Sequence, residues 1–205
     1  GLYLMRQWTR TERPARRDVF RLVGASMSFR RSALLGIGLF DERFTFGAEE
    51  LELCYRMRRH RPDVRLVLES EARVVHNFRP SLGDTLRRSR SYGRGTARFS
   101  RRWRSVRPTV FPVPVPVAAL AVAAVARPRL APLALAAPAL LFPSGLAAAL
   151  RARRPERLLD AYVQLMQETC ANAGVAEGLW AARHLDPGAG PAPEPAHVAA
   201  EGSTV

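Results

Sequence analysis

Residues 46–59 read FGAEELELCYRMRR, and the reading of this stretch decides how the first hundred residues fold. Acids open it, Arg closes it and Pro62 follows, which predicts a helix over residues 49–59. On a wheel at roughly 100° per residue, with Leu51 at the origin and Tyr55 beside it, Leu53, Met57 and Cys54 fall between about 200° and 300°. They form an apolar arc. Arg59, Glu52, Arg56, Glu49 and His60 cluster between about 80° and 180°, the expected solvent side, where Glu52 and Arg56 are spaced for a surface ion pair. Glu50 falls at about 260°, inside the apolar arc. An inward carboxylate is costly unless something pairs or uses it, and Cys54, four residues on, cannot pair it. Two readings stay open. Glu50 is either a first-turn acid favouring the helix dipole at a protruding end, or a rigidly held, partly desolvated general base.

Outward from this helix, residues 19–29 can supply a strand and a turn around Gly24, and residues 32–36 a short helix stopped by Gly36 and Gly38. Val64, Leu66 and Leu68 alternate as a strand, and Ala72, Val74, His76 and Phe78 as another. Residues 87–104 are strongly basic and read as helix apart from Gly93 and Gly95. His76 on an apolar strand face is either a core histidine or a ligand. The Asp residues form no Asp-x-Asp pair, so a metal at His76 would need ligands from elsewhere.

All 32 basic residues among the 205 are Arg, and the net charge of +14 draws the chain toward phosphates. Biased coding is the plain alternative for the missing Lys. Cys54 and Cys170 fit no disulfide or metal spacing, and Arg6, Arg10, Arg13, Arg16 and Arg17 leave no signal-peptide core. The first hundred residues therefore read as cytoplasmic and reduced. Composition divides the chain into residues 1–104, globular α/β; 105–155, apolar; 156–185, amphipathic helix; and 186–205, a Pro/Gly/Ala-rich disordered tail. Residues 109–126 and 130–150 are apolar runs of spanning length with Arg-rich outer flanks, which predicts a membrane hairpin with both ends in the cytoplasm. Pro112, Pro114, Pro116, Pro132, Pro138 and Pro143 favour the rival, a re-entrant or interfacial hairpin. Leu158, Leu159, Tyr162, Leu165, Met166 and Thr169 predict a helix ending near Gly174, either on the membrane or packed on the domain.

GASMSFRRSALLGIGLFDERF (24–44), then FGAEELELCYRMRR, then ESEARVVHNF (69–78), in this order and spacing, resembles the second half of family 2 glycosyltransferases. The resemblance covers roughly residues 20–100. It implies an α/β fold: the C-terminal half of a GT-A, Rossmann-like domain, followed here by the hydrophobic helical hairpin and the amphipathic helix. It also implies roles. Glu49-Glu50 takes the place of the family's Glu-Asp pair, with Glu50 as the catalytic base and Glu49 binding acceptor. Gly24, Ala25 and Ser26 line the acceptor pocket. Arg90, Tyr92 and Arg94 lie near the donor diphosphate or acceptor, and His76 is a ligand of a divalent metal, Mg²⁺ or Mn²⁺.

The implied activity is hexosyl transfer, with inversion, from a nucleotide-diphosphate sugar to a lipid-linked or polysaccharide acceptor at the cytoplasmic membrane, the catalytic part facing the cytoplasm. Three departures stand against the pattern: Glu50 where Asp is usual, Ser70 where Pro is usual, and no Tyr-Asn or Asn-Asn turn or Asp-x-Asp segment. The front, nucleotide-binding half is thus missing from the sequence, and the isolated chain is expected not to turn over. The alternatives are an inactive membrane-tethered remnant and an Arg-rich nucleic-acid binder stacking bases on Tyr92, Phe99 and Trp103. The apolar runs argue against nucleic acid as a partner.

Overall fold

The computed structural model describes residues 16–44, 47–69, 71–72, 74, 81–104, 106–153 and 155–181. Two short strands, β1 (Arg17–Asp18) and β2 (Val67–Leu68), pair antiparallel with Arg17 opposite Leu68. A bond from Val19 N to Leu66 O at 2.9 Å prolongs the pairing. Beyond β1 the chain turns at Gly24, where Ser26 N donates to Val23 O at 3.1 Å. Helix α1 (Arg31–Leu35) ends against Gly36 as its sequence requires. The α/β expectation is met mainly by helices, since the described residues hold one sheet of two strands. The strand expected over 72–78 lies mostly outside the described residues.

Helix α2 (Glu49–His60) has the expected start, with Glu49, Glu50 and Glu52 in its first turn and Arg58, Arg59 and His60 in its last. Its apolar arc is where the periodicity puts it: Leu53, Cys54 and Met57 are at most 1% exposed and pack with Ile37 and Leu66. Leu51 and Tyr55, on another side, pack against Phe44, Ala48 and Phe99. The Tyr55 ring meets Phe99 edge-on at 5.4 Å and Trp103 at 5.0 Å.

The expected solvent side of α2 is half wrong. Arg59 and His60 are exposed, but Glu52 and Arg56 are buried at 1% and 3% exposure. The turn after α1 folds over them. Arg56 donates through Nε and Nη2 to the Glu52 carboxylate at 3.1 and 2.9 Å, through Nη2 to Leu39 O at 2.7 Å, and through Nη1 to Ile37 O. Those carbonyls flank Gly38 and Leu39, both left-handed with φ of 81° and 62°. A left-handed Leu is strained, and it persists because the guanidinium holds its carbonyl. The pair is a core clamp, not a surface ornament.

Helix α3 (Leu82–Arg102) is capped by Ser81, whose Oγ accepts from Asp84 N at 3.0 Å. It runs unbroken through Gly93 and Gly95, contrary to the sequence expectation. Helix α7 (Leu159–Ala181) likewise does not stop near Gly174. The reason is shared. A Cβ at Gly93 would lie 2.0 Å from Ala171 O, and one at Gly174 would lie 2.0 Å from Arg90 O. These glycines let the two backbones touch, a gain that outweighs the roughly 1 kcal/mol glycine costs inside a helix. The described part of the 156–185 segment is therefore packed on the domain through α3.

The apolar stretch forms α4 (Pro114–Ala126), a 3₁₀ turn (Pro128–Leu130), α5 (Ala131–Leu141) and α6 (Pro143–Ala152). Pro114 and Pro116 set where α4 begins, and Pro143 opens α6 just after α5 ends. At 1.5 Å per residue α4 and α5 are about 20 and 17 Å long, against about 30 Å of bilayer hydrocarbon. Among the described residues no helix is long and apolar enough to cross a membrane. The spanning hairpin is corrected to a short helix pair, because run length was counted across prolines that start and stop helices. Asn172 of α7 holds it in place, accepting from Phe111 N at 2.9 Å and donating to Phe111 O at 2.8 Å.

The buried clamp makes a test. Glu52→Gln leaves Arg56 charged and unpaired in the core, and is expected to cost roughly 3–5 kcal/mol by urea unfolding. Glu52→Gln with Arg56→Met should regain much of that loss. A loss under about 1 kcal/mol, the usual worth of an exposed pair, would contradict this placement.

Candidate active site

The N-terminus of α2 is launched by two consecutive left-handed residues, Gly47 at φ 88° and Ala48 at φ 68°. Ala48 offers no side-chain cap, so the first-turn amides keep their donors for other partners. Gly47 is fixed from above by α3: a Cβ at Gly95 would lie 2.2 Å from Gly47 O, and one at Gly47 would lie 3.0 Å from Ser91 O and 3.4 Å from Tyr92 Cδ1. Helix α3 thus lies directly on the start of α2, with Tyr92 beside it.

The other wall is the turn at Gly24. A Cβ there would sit 3.9 Å from the Glu50 carboxyl carbon. Leu22 N donates to Cys54 Sγ at 3.4 Å, which ties this segment to α2 one turn below Glu50. Ala25 and Ser26 follow, exposed in the same turn. Burial pushes the Glu50 carboxyl above its ordinary value; its own backbone amide opposes this, Glu49 adds to it, and Arg21 opposes it. Burial likewise raises the Tyr92 hydroxyl, with Arg88 opposing and the charges of Glu50 and Glu49 adding. One Glu49 oxygen, Oε2, is buried with no hydrogen-bond partner. Glu50 is thus partly buried, with its carboxyl beside the exposed Gly24 turn.

The structure brings together Gly24, Glu49, Glu50 and Tyr92. Arg90 and Arg94 point elsewhere: Arg90 Nε donates to Glu177 Oε2 of α7 at 3.0 Å, and Arg94 bonds Ser91 Oγ at 3.1 Å and reaches the same carboxylate at 4.0 Å. The pairing of Arg90 with Glu177 across 87 residues had no local signal. Arg21 and Arg88 are the basic groups whose fields reach Glu50 and Tyr92, and sequence reasoning missed both. Position three residues before Gly24 was the one available hint for Arg21.

His76 lies outside the described residues. Among the described residues no three His, Cys, Asp or Glu side chains converge as a metal requires. Glu49 and Glu50 supply two carboxylates, too few for a divalent-cation site on their own.

The family model described as glycosyl transferase family group 2 matches residues 7–149, which takes in α1 to α5 and most of α6. No curated protein and no solved structure matches the chain.

The Glu50 environment has a sign that can be checked. A carboxyl raised on folding holds its proton more tightly in the native state, so its stabilising contribution is full at acid pH and lost as pH rises through its folded value. At neutral pH charged Glu50 is a net cost. Glu50→Gln is expected to raise Tm at neutral pH, with the gain fading at about pH 4, below the ordinary Glu value. A Tm that falls at neutral pH, or a pH-independent difference, would mean that Glu50 is paired or solvated.

Proposed function

The chain belongs to glycosyl transferase family group 2, and on that premise we propose that it serves sugar transfer from a nucleotide-diphosphate sugar to a lipid-linked or polysaccharide acceptor at the cytoplasmic membrane face. Glu50 is the base. The observation that carries this reading is the desolvated Glu50 carboxyl, aimed at Gly24 from the first turn of a helix packed on two sides. Rigidity keeps the carboxylate in reach of one proton, and its raised proton affinity suits it to take that proton.

In the reaction the acceptor hydroxyl oxygen attacks the anomeric carbon as its proton passes to Glu50. The bond from that carbon to the diphosphate breaks, and the nucleotide diphosphate leaves with the electron pair, which inverts the centre. The unpartnered Glu49 Oε2 is suited to accept a hydrogen bond from an acceptor hydroxyl. The exposed turn of Gly24, Ala25 and Ser26 forms the floor, and Tyr92, 44% exposed, the opposite wall. Arg21, whose charge acts on Glu50, is better disposed toward the donor diphosphate than Arg90 and Arg94, which pair with Glu177. The divalent ion that the resemblance implies would be held by groups outside the described residues, His76 among them.

The nucleic-acid reading loses two of its three rings, Tyr92 alone staying exposed. Phe99 is 3% exposed, and Trp103 is packed among Tyr55, Arg59 and Arg102, so neither offers an open face to a base.

The test is Glu50→Gln in a chain that carries this segment joined to a donor-binding half. Donor affinity should be kept while transfer falls roughly 10²–10⁴-fold, the usual contribution of a positioned base. Near-normal transfer would put the base elsewhere and leave Glu50 with a structural role only.

A further inference from the structure

Helices α4 and α5 carry a surface that none of the described residues covers. Val115, Val122, Val125, Leu133, Leu135 and Leu140 are all at least half exposed, Val125 at 85%. At 100° per residue Val115, Val122 and Val125 share one side of α4, and Leu133 and Leu140 share one side of α5; apolar stripes exposed in this way mark a contact site. The charge around it identifies the partner. Between Asp84 and Glu156 the sequence holds no acidic residue and fourteen Arg. Arg107 precedes the helix pair, Arg127 and Arg129 sit at its turn, and Arg151 and Arg153 follow it, all exposed.

We propose that the α4–α5 pair lies flat in one leaflet of an anionic bilayer, its valines and leucines among the upper acyl chains and its terminal arginines on the lipid phosphates. This rests on the membrane part of the proposed function and specifies the mode and the lipid. Three features select the flat pose. The helices are too short to cross, at about 20 and 17 Å against about 30 Å. A tip-first insertion would drag Arg127 and Arg129 through hydrocarbon at a cost of roughly 2.5–3.5 kcal/mol each, whereas flat docking leaves basic groups at both ends in the headgroups. An unbroken lack of acids removes the repulsion that would oppose an anionic surface.

The surface is also coupled to the candidate site by rigid contacts. Asn172 grips Phe111 at the start of the apolar segment, and the Tyr162 hydroxyl donates to Leu135 O at 2.5 Å. Both residues belong to α7, which lies on α3, and α3 in turn lies on Gly47. A docked helix pair therefore holds the Glu50 site at a fixed height over the lipid, where a lipid-linked acceptor presents its hydroxyl.

The experiment is flotation of the full 205-residue chain with vesicles of phosphatidylcholine alone, or with added phosphatidylserine. Binding should require the anionic lipid and weaken as salt rises. Arg127→Gln with Arg129→Gln should lower partition to anionic vesicles by about 25-fold, and Val122→Asp with Val125→Asp by at least about tenfold. These side chains are exposed, so Tm should stay unchanged in both variants. No flotation on any vesicle would overturn the docking while leaving sugar transfer to stand or fall by Glu50→Gln. Equal binding to both vesicles would overturn the anionic recognition. Protease protection of the α4–α5 turn from outside-added enzyme would indicate insertion by the tip, and lipid-free dimerisation lost in Val122→Asp with Val125→Asp would indicate a second copy as the true occupant.

Discussion

The contact on which the structure turns is that of Gly95 with Gly47. Only a hydrogen fits between the α3 backbone and the Gly47 carbonyl, since a Cβ would come within 2.2 Å of its oxygen. That approach presses α3 onto the turn that launches α2, and Gly47 answers with a left-handed conformation that suits glycine. Much follows from it. Tyr92 is set beside Glu49 and Glu50, and Phe99, one turn further along α3, reaches Tyr55 on the far side of α2. On its other side α3 accepts α7 through Gly93 and Gly174. Helix α3 is thus the plate between the candidate site and the apolar helix pair.

A second constraint works from below. The Glu52–Arg56 pair is buried, and burying an ion pair is at best neutral compared with packed hydrocarbon. What it contributes is geometry. Arg56 holds the carbonyls of Ile37 and Leu39, so the left-handed turn at Gly38 and Leu39 is fixed against the same helix that carries Glu50. The site is therefore built on a helix fastened at its start by α3 and at its middle by the α1 turn.

The legible parts were those governed by local periodicity. The limits of α2 and its Leu53–Cys54–Met57 core follow from 3.6-residue spacing and end charges, and Glu50, placed by the same spacing beside that core, is partly buried. The resemblance set Gly24 in the acceptor pocket and Glu50 as the base, and the two lie together here, a Cβ at Gly24 falling 3.9 Å from the Glu50 carboxyl carbon. What failed depended on distant partners. Hydropathy alone sends Arg56 outward, and only the carbonyls 17 and 19 residues upstream bring it in. Gly93, Gly95 and Gly174 read as breakers locally, yet each is a point of contact with another element. Arg90 looked free for a phosphate until α7 supplied Glu177. The apolar runs differ in kind: their length is legible, but Pro114 and Pro143 open helices within them, so that each helix is shorter than its run.

The central claim is that the packing of α3 on Gly47 creates the desolvated Glu50 site. Carbon-13 NMR titration of the Glu50 carboxyl tests it directly, in the native chain and in Gly95→Ala, with helix content checked by circular dichroism. The account predicts that Glu50 titrates above the ordinary glutamate value in the native chain, and that the added methyl lifts α3, admits water and returns Glu50 toward that value. An ordinary titration in the native chain, or an unchanged one in a well-folded Gly95→Ala, would contradict it.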